Sequence, residues 1–337
     1  MSIIRMNLGL QSYDIIIQRG VLEQASEKLN LNRKVIIVTD SGVPEKYINT
    51  VKEQAKQAVV KVFPSGEKSK TLETFQEILS LMLQEGFSRH DCVVAVGGGV
   101  PGDIAGFAAA CYMRGIDFYN IPTTLLAQVD SSIGGKTAVN LNHVKNIVGA
   151  FYQPRAVLID PDVLSTLPTI QVASGLAEAF KMACTSDQDF FNLFIKGDPY
   201  EQIDTIIEKS LLFKRSVVQQ DEKESGLRKV LNFGHTIGHG IEATLQDATL
   251  QHGQCVALGM LPMCSPQVRD KLEIGLKKMG IPTKFHFDTD AVCQAISHDK
   301  KSEFGSISTV FVSDVGKFEF RSLRIDQIRA LLPIIQA

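Results

Sequence analysis

The chain has 337 residues, which at roughly 150 residues per domain predicts two domains. Hydrophobic residues make up 44% and charged residues 21% of the chain, a composition that excludes an intrinsically disordered protein. Lys and Arg number 35 against 37 Asp and Glu, so the formal charge of −2 argues against the basic surplus that nucleic-acid binding needs.

The N-terminus and the cysteines point to a cytoplasmic protein. The stretch MSIIRMNLGLQSYDIIIQRG lacks the apolar core of a signal peptide, and no apolar run is long enough to span a bilayer. The six cysteines form no CxxC pair and most lie in apolar runs, which indicates buried free thiols of a reducing compartment. We therefore expect no membrane and no nucleic-acid partner.

Short apolar strands alternate with helices in the first half of the chain. SIIRMNL and YDIIIQ predict a hairpin, and KVIIVTD predicts a buried strand that ends at Asp40. VVKVF predicts another strand, and TLETFQEILSLMLQEG then has apolar residues at helical spacing. DCVVAV, DFYNIP and AVLID are further strands. The alternation predicts an α/β domain with a Rossmann-like, mostly parallel sheet.

Beyond about Asp160 the pattern changes. Strand-like runs become rare until ISTVFVS near the end, and helical patterns such as YEQIDTIIEKSLLFKRSVVQQ dominate. We therefore predict an α/β domain over residues 1–160 and a mainly α-helical domain over 161–337.

A glycine-rich turn follows one predicted strand. Gly97, Gly99 and Gly102 in VAVGGGVPGD fit GxGxxG, in which glycines admit a phosphate and the following helix offers free N–H groups. Pro101 suits a first helical turn. A tight turn without a ligand remains the alternative. Asp40 is the best candidate for a ribose-binding acid, although a cap or turn role is open.

Two further stretches carry polar residues next to apolar ones. PSGEKSKT at 64–71 is either a phosphate- or ribose-facing loop or a helix start capped by Thr71. QVDSSIGGKTAVNLNHVKNIVG places lysines among small and apolar residues, and buried ammonium groups need anions. With Arg114 in CYMRGID they could hold a phosphate or carboxylate, and a salt bridge is the alternative for each.

Histidines and a buried acid suggest a metal centre. His235 and His239 have the i, i+4 spacing of HExxH helices, but HTIGH lacks the glutamate of a metalloprotease. Glu178 lies in an apolar helical pattern with Lys181 one turn later, and His252 opens HGQ. Imidazoles and a carboxylate are typical zinc ligands. Core histidines that are hydrogen-bonded without a metal remain the alternative.

A helical reading of 228–239 predicts a polar stripe. Arg228, Asn232, His235 and His239 would then recur at spacings of four, three and four on one face. A polar stripe in an apolar domain indicates the lining of a pocket.

Several long motifs together resemble the 3-dehydroquinate synthase family, of the sugar phosphate cyclase superfamily. They are VGGGVPGDIAGFAAACYMRGIDFYNIPTTLLAQVDSSIGGKTAVN, KNIVGAFYQP, GLAEAFK, DEKESGLRKVLNFGHTIGHGIE and HGQCVALGM. The resemblance covers about residues 35–260. It implies conversion of 3-deoxy-D-arabino-heptulosonate 7-phosphate to 3-dehydroquinate and phosphate, in the shikimate pathway. The implied steps are transient oxidation by NAD, phosphate elimination, reduction and aldol closure.

The resemblance also implies cofactors and residues. The family uses NAD and a divalent metal, usually zinc, with cobalt as an alternative. The resemblance also suggests a homodimer and an active site in the cleft between the two domains. The implied metal ligands are Glu178, His235 and His252. The implied NAD contacts are Asp40, Ser65, Gly66, Glu67, Lys68, Ser69, Lys70, Gly99, Val100, Pro101, Gly102, Asp103, Thr123, Thr124, Lys136, Lys145, Val163, Leu164, Ser165 and Thr166.

The small sugar-acid phosphate substrate has its own implied contacts. They are Arg114, Asp130, Lys136, Lys145, Asn146, Lys181, Lys214, Arg228, Asn232, His239 and Lys300. Of these, the implied catalytic residues are Lys136, Lys181, Lys214, Arg228, Asn232 and His239.

The chain departs from the family pattern in three places. Gln254 replaces the usual glutamate after HG, which suggests weaker tuning of the metal through His252. Pro101 replaces an aliphatic residue, and the segment after Met260 is short. The rival functions are another NAD- and metal-dependent sugar phosphate cyclase, a polyol dehydrogenase of the same superfamily, and a non-catalytic nucleotide-binding paralogue.

Overall fold

The computed structural model describes residues 1–142, 144–245, 250–299 and 306–337, without the side chains of 298 and 299. The chain divides into two compact units, Met1–Leu167 and Pro168–Ala337.

A mostly parallel sheet forms the centre of the first unit, as predicted. Among the described residues, its seven strands are β1 (Ser2–Met6), β2 (Tyr13–Ile17), β3 (Lys34–Asp40), β4 (Gln57–Phe63), β5 (Cys92–Gly97), β6 (Asp117–Pro122) and β9 (Ala156–Ile159). They pair in the order β1-β2-β9-β6-β5-β3-β4, with β1 antiparallel to β2 and the other pairs parallel. The predicted N-terminal hairpin is therefore confirmed.

Helices cover both faces of this sheet. On β3, Val35 and Ile37 belong to one buried apolar cluster, while Ile36 and Val38 belong to the other. A strand buried on both faces reads as a continuous apolar run, which explains KVIIV. The helices of the unit are α1 (Ala25–Lys28), α2 (Glu45–Glu53), α3 (Leu72–Gln84) and α4 (Gly99–Cys111).

The segment that contains Lys136 and Lys145 forms a hairpin that the sequence patterns did not predict. Strands β7 (Lys136–Leu141) and β8 (Val144–Phe151) pair antiparallel, apart from the main sheet. The hairpin lies close to α4, where a Cβ added at Gly106 would come 2.4 Å from Thr137 Cγ2. A π-helical turn, Ala127–Ser131, precedes it.

The second unit is mainly helical, as predicted. Its one described strand pair includes the predicted ISTVFVS strand, β10. The elements are α5 (Thr169–Thr185), α6 (Gln188–Ile195), α7 (Ile203–Gln220), α8 (His235–Thr244), α9 (His252–Met260), α10 (Pro266–Lys278), α11 (Thr289–Asp299), β10 (Ile307–Asp314), β11 (Lys317–Leu323) and α12 (Ile325–Leu331).

A continuous helix over 228–239 is wrong. A 3-10 helix, Leu227–Asn232, ends before Phe233, and α8 begins at His235 after Gly234 in the left-handed region with φ 78°. The stripe of Arg228, Asn232, His235 and His239 is therefore split between two elements.

All six cysteines are free thiols, and five of them are buried. Cys111, at the end of α4, is exposed. No helix within the described ranges combines the length and apolar character that a membrane crossing needs.

Candidate functional site

The carboxyl ends of the parallel strands in the first unit gather candidate nucleotide-binding residues. We call this the carboxyl edge and define it by Asp40, Gly97, Thr123 and Asp160, each at or just after the end of a strand. Ligands of open α/β sheets bind outside the carboxyl ends of the strands.

The glycine turn lies directly before α4 and packs closely on two hydroxyl side chains. The helix begins at Gly99, and its N-cap Gly98 makes no side-chain capping bond. A Cβ added at Gly98 would lie 3.1 Å from Thr124 Cγ2, and one at Gly99 would lie 3.2 Å from Ser131 Oγ. The free N–H groups of a helix N-terminus favour a phosphate. This turn therefore fits the pyrophosphate of a dinucleotide.

Pro101 is the third residue of α4 and lies against Gly97, where an added Cβ would approach Pro101 Cγ to 2.6 Å. Proline has no N–H, so one donor that another residue would offer at this helix start is missing.

Asp40 ends β3 as a half-buried carboxylate. Its Oδ1 accepts a hydrogen bond from the Gly42 N–H at 2.8 Å, so the turn role considered for it is real. Burial raises the pKa of Asp40, although the Gly42 N–H opposes this shift. Its location at the carboxyl end of β3, a strand inside the parallel sheet, fits the acid that binds a ribose hydroxyl in dinucleotide folds.

The PSGEKSKT stretch forms a 3-10 turn, Glu67–Ser69, and then starts α3. Thr71 caps this helix by accepting a hydrogen bond from the Thr74 N–H at 3.3 Å. Lys70 is buried, and its Nζ lies 2.5 Å from both Asp103 Oδ2 and Asn146 Oδ1. Lys70 of this loop, Asp103 of α4 and Asn146 of β8 thus form one polar cluster.

Other candidate residues of the first unit lie on several separate elements. Lys136 opens β7, Lys145 and Asn146 lie on β8, and Asp130 is in the π-helical turn. The residues 163–166 lie in the 3-10 helix that follows β9. Arg114 instead follows the far end of α4, about 20 Å along that helix from the glycine turn. Arg114 and Asn146 have φ of 68° and 55°, and such strain is enriched at functional sites.

In the second unit, three side chains from three helices converge. We call Glu178 of α5, His235 of α8 and His252 of α9 the His/Glu cluster. Glu178 Oε1 lies 3.8 Å from His235 Nε2 and 3.4 Å from His252 Nε2. Oε1 is buried and accepts no hydrogen bond from any residue that the structure describes. A buried carboxylate oxygen facing two imidazole nitrogens fits a divalent ion with N and O ligands.

A third imidazole lies close by. His239 also offers a nitrogen within 4.8 Å of those of His235 and His252. Its ring centroid is 5.1 Å from that of His235 and 5.6 Å from that of His252. His239 therefore lies where it can contact a molecule bound at the ion.

Each member of the cluster is oriented by a second contact. Lys181 Nζ donates to the other carboxylate oxygen of Glu178, Oε2, at 2.6 Å. His235 Nδ1 lies 3.2 Å from the Phe233 carbonyl oxygen, and His252 Nδ1 lies 3.1 Å from Glu242 Oε2. Because each Nδ1 has an acceptor, each histidine is held with Nε2 towards Glu178.

The electrostatics of the cluster keep Glu178 charged. Burial alone would raise the pKa of Glu178, but Lys181 and the neighbouring histidines hold this pKa well below its usual range. Burial and the charge of Lys181 lower the pKa of His235. Burial opposes charge on His252, yet Glu178 and Glu242 raise its pKa to about 10. A charged carboxylate therefore lies beside two imidazoles in the buried interior of the second unit.

Glycines bring the three helices together. A Cβ at Gly253 would lie 2.0 Å from the Ser174 carbonyl oxygen, so α9 and α5 touch through their backbones one turn before Glu178. The Gly253 N–H also donates to Ser174 Oγ at 2.9 Å. A Cβ at Gly259 would lie 2.1 Å from the Gly234 carbonyl oxygen, which fixes α9 against the start of α8.

Candidate substrate-binding residues lie on neighbouring elements. Lys181 and Lys214 are buried on α5 and α7. Arg228 is buried on the 3-10 helix and donates to the Glu222 carbonyl oxygen. Asn232 ends that helix. The predicted contact Lys300 lies outside the described residues.

Two residues that shape this region were not predicted from the sequence motifs. Asp221 accepts hydrogen bonds from the N–H groups of Gly226 at 2.7 Å and Arg228 at 2.9 Å. Glu224, with φ of 60°, accepts a hydrogen bond from Asn232 Nδ2 at 2.7 Å. The acidic run DEKE contained both residues, but a charge run is usually a solvated surface.

Gln254 does not contact His252 in the way that its position suggested. Its side-chain oxygen accepts a hydrogen bond from the Gln251 N–H at 2.9 Å and completes a capping box at the start of α9. The carboxylate on His252 is that of Glu242, which the motif analysis also missed.

Two family models match consecutive parts of the chain. The family model for the 3-dehydroquinate synthase N-terminal domain matches residues 60–174, and that for the C-terminal domain matches residues 175–302. A 3-dehydroquinate synthase of Streptococcus pneumoniae is 39% identical to this chain, over 98% of the chain and 99% of the relative.

Solved structures of sugar phosphate cyclases are also similar. A 2-deoxy-scyllo-inosose synthase, in complex with carbaglucose-6-phosphate, NAD+ and Co2+, has a TM-score of 0.91 and 27% identity over 98% of this chain and 99% of that one. A 2-epi-5-epi-valiolone synthase of Streptomyces hygroscopicus, with NAD+ and Zn2+ bound, has a TM-score of 0.86 and 25% identity over 96% of both chains. With both family models matched in order and relatives aligned over nearly the full length, this chain belongs to the 3-dehydroquinate synthase family.

Proposed function

We propose that this chain is a lyase that converts 3-deoxy-D-arabino-heptulosonate 7-phosphate to 3-dehydroquinate and inorganic phosphate. The observation that carries the proposal is the buried Oε1 of Glu178, which lies 3.8 Å from His235 Nε2 and 3.4 Å from His252 Nε2. Such an arrangement suits a bound divalent ion, and the family membership supplies the reaction.

The residues divide between the two cofactors by unit. Glu178, His235 and His252 would hold zinc or cobalt, the metals that typically accept such ligands. NAD would lie at the carboxyl edge, with its pyrophosphate at the start of α4 and a ribose at Asp40. The related synthases bound to NAD+ with Co2+ or Zn2+ support this pair of cofactors.

When bound, NAD exchanges a hydride with the substrate, and the metal polarises the hydroxyl that is oxidised. The chain's own contribution is to hold and orient two anionic groups. Lys181, Lys214 and Arg228 are buried cations of the second unit, and cations fix carboxylate and phosphate groups. The backbone of Arg228 is itself held in position, because the Arg228 backbone N–H donates a hydrogen bond to Asp221 Oδ2.

Other residues would act on the hydroxyl groups of the substrate. His239 is near enough to the cluster to bind a hydroxyl or move a proton. Asn232 is oriented by Glu224 and offers an amide. We propose that the substrate phosphate accepts the proton at elimination, so that these side chains need only bind and orient. Lys136, Lys145, Asn146, Asp130, Arg114 and Lys300 remain proposed contacts of the same substrate.

The proposal is tested by incubating the purified chain with the seven-carbon phosphate, NAD and Zn2+. We expect one inorganic phosphate released per substrate and no accumulation of reduced NAD, because the hydride returns to the substrate. Steady production of reduced NAD would instead identify a polyol dehydrogenase. No phosphate release from a chain that binds both cofactors would favour the non-catalytic paralogue and overturn the proposal.

Another sugar phosphate cyclase activity is the second candidate, because the structural neighbours include two such enzymes. Competition between the seven-carbon acid phosphate and a sugar phosphate that lacks a carboxylate distinguishes the two activities. We expect the acid to be preferred, since a buried cation such as Arg228 suits its carboxylate.

A homodimer and a cytoplasmic location are proposed on the family resemblance and the six free thiols. Light scattering and cell fractionation test them, and a monomer or a membrane-associated chain would contradict them.

A further inference from the structure

We propose that Glu242 is a positioning residue that fixes His252 as a metal ligand and sets how tightly the His/Glu cluster binds its ion. The proposal rests on the proposed metal centre. It assigns a role to a side chain that does not itself reach the ion.

The geometry singles out Glu242. Its Oε2 lies 3.1 Å from His252 Nδ1, the ring nitrogen that faces away from Glu178. His252 Nε2 lies 3.4 Å from Glu178 Oε1. The imidazole is therefore held between two carboxylates, one on each nitrogen.

The helix register explains how Glu242 reaches this position. His235, His239 and Glu242 lie at i, i+4 and i+7 of α8, so they occupy one face of the helix. Helix α9 starts at His252 and packs on α8, where Gly259 meets Gly234. The same face of α8 thus carries a ligand of the ion and the acceptor for a ligand on α9.

The two ligand histidines differ in their acceptors. His235 Nδ1 faces a neutral carbonyl oxygen, that of Phe233, whereas His252 Nδ1 faces a carboxylate. A carboxylate makes the imidazole a stronger ligand and fixes its tautomer. Gln254 does not take this role, because its side-chain oxygen is engaged with the Gln251 N–H. Among the described residues, Glu242 is thus the carboxylate placed to tune His252 from its outer side.

The test is metal affinity, measured apart from catalysis. Zn2+ dissociation constants are obtained by competition with a chromophoric chelator, and Co2+ absorption spectra report the ligand geometry. Glu242→Ala removes hydrogen bond and charge, and we expect its affinity for Zn2+ to fall by about 10- to 100-fold. Glu242→Gln keeps an acceptor for Nδ1–H but not the charge, and we expect a smaller loss and a shifted Co2+ spectrum.

The matched control is Glu273→Gln, which removes an exposed carboxylate of α10 paired with Lys277. We expect its Zn2+ affinity to equal that of the unmodified chain. His252→Ala marks the effect of losing the ligand itself. Circular dichroism of the metal-free variants verifies that each is folded, and Glu242→Gln replaces Glu242→Ala if the latter does not fold.

The outcomes separate the two proposals. If the unmodified chain binds Zn2+, His252→Ala loses it and both Glu242 variants match the unmodified chain, the role of Glu242 is overturned and the metal centre stands. If the unmodified chain binds neither ion, the metal centre itself is overturned. If Glu273→Gln loses as much Zn2+ affinity as Glu242→Gln, the loss reflects only the change in net charge, and the positioning role of Glu242 is overturned.

Discussion

Two carboxylates held by cations, Asp117 in the first unit and Glu178 in the second, differ in one respect. Both oxygens of Asp117 are engaged, Oδ1 by Arg155 Nε and Oδ2 by Arg33 Nη1, each at 2.7 Å. Glu178 has Oε2 bound to Lys181 and leaves Oε1 facing two imidazoles. A carboxylate with both oxygens engaged stabilises a fold, whereas one with a buried oxygen left over is arranged for a ligand.

Their surroundings follow the same division. Asp117 opens β6, at the amino ends of the parallel strands, where Arg33 also binds the Tyr119 hydroxyl at 2.9 Å. Its side chain is 29% exposed, whereas that of Glu178 is 1% exposed. An ion that binds the buried oxygen of Glu178 in the folded chain should therefore stabilise the fold.

The largest effect is expected at Glu178. Glu178→Gln should abolish measurable Zn2+ binding and turnover, and should destabilise the metal-free fold by about 3–5 kcal/mol, because it removes the negative charge that faces buried Lys181. Chemical denaturation and chelator competition measure the two effects.

Glu178→Gln combined with Lys181→Met sharpens this result. The double variant should recover much of the stability but none of the Zn2+ binding, since the buried charges are then both gone. Recovery of Zn2+ binding would show that Glu178 is not a ligand.

A smaller effect confined to stability is expected at Asp117. Asp117→Ala removes two charge-assisted hydrogen bonds and should cost about 2–3 kcal/mol in the free energy of unfolding. Zn2+ affinity should be unchanged at a temperature where the variant is folded. Weakened Zn2+ binding would contradict the division of roles between the two carboxylates.

The same network predicts a dependence on pH. Burial opposes ionisation, but Arg33 and Arg155 outweigh it and lower the pKa of Asp117. A lowered folded-state pKa stabilises the fold above the unfolded value near 4 and loses this contribution as the pH falls. The difference in unfolding free energy between the unmodified chain and Asp117→Asn should therefore be full at neutral pH and shrink below about pH 4. A constant difference would contradict this ion pairing.

The next effect, on both stability and Zn2+ binding, is expected where α9 packs closely on α5. Gly253→Ala forces α9 away from the Ser174 carbonyl and should cost about 1–3 kcal/mol while weakening Zn2+ binding, because His252 moves with α9. Gly197→Ala is the matched control, since the three atoms nearest its added Cβ all belong to the end of the flexible Gln202 side chain. Equal Zn2+ affinities in both variants would contradict the packing argument.

The smallest effect is expected from an exposed pair. Arg5 and Asp14 pair across β1 and β2 at 3.0 Å, with side chains 51% and 44% exposed. Arg5→Ala should change the unfolding free energy by less than about 1 kcal/mol. A loss as large as that of Asp117→Ala would show that exposure does not separate these ion pairs.

The sequence predicts the main sheet well for a physical reason. Runs such as KVIIV and DCVVAV are buried on both faces of the sheet. Their apolar β-branched residues are therefore continuous, which makes these strands easy to predict from the sequence. The β7–β8 hairpin was missed because it lies outside that sheet and its β8 residues are largely exposed, which removes the apolar signal. The break at Gly234 was missed because helical spacing does not show a left-handed φ.

The candidate site shows the same limit. Histidine spacing and an acid in an apolar helix suggested a metal centre, and the family resemblance then implied Glu178, His235 and His252 as its ligands. Glu242 had a signal, since it continues the i, i+4 spacing of His235 and His239 to i+7. Its contact with His252 depends on the packing of α9 on α8 through glycines, which one sequence does not show.

The most direct test of the metal centre is a crystal structure of the chain with Zn2+, using anomalous scattering at the zinc edge. We predict one strong anomalous peak bonded to Glu178 Oε1, His235 Nε2 and His252 Nε2, with His239 outside bonding distance. A peak held by the three histidines without Glu178, or no peak in this cluster, would contradict the proposed centre.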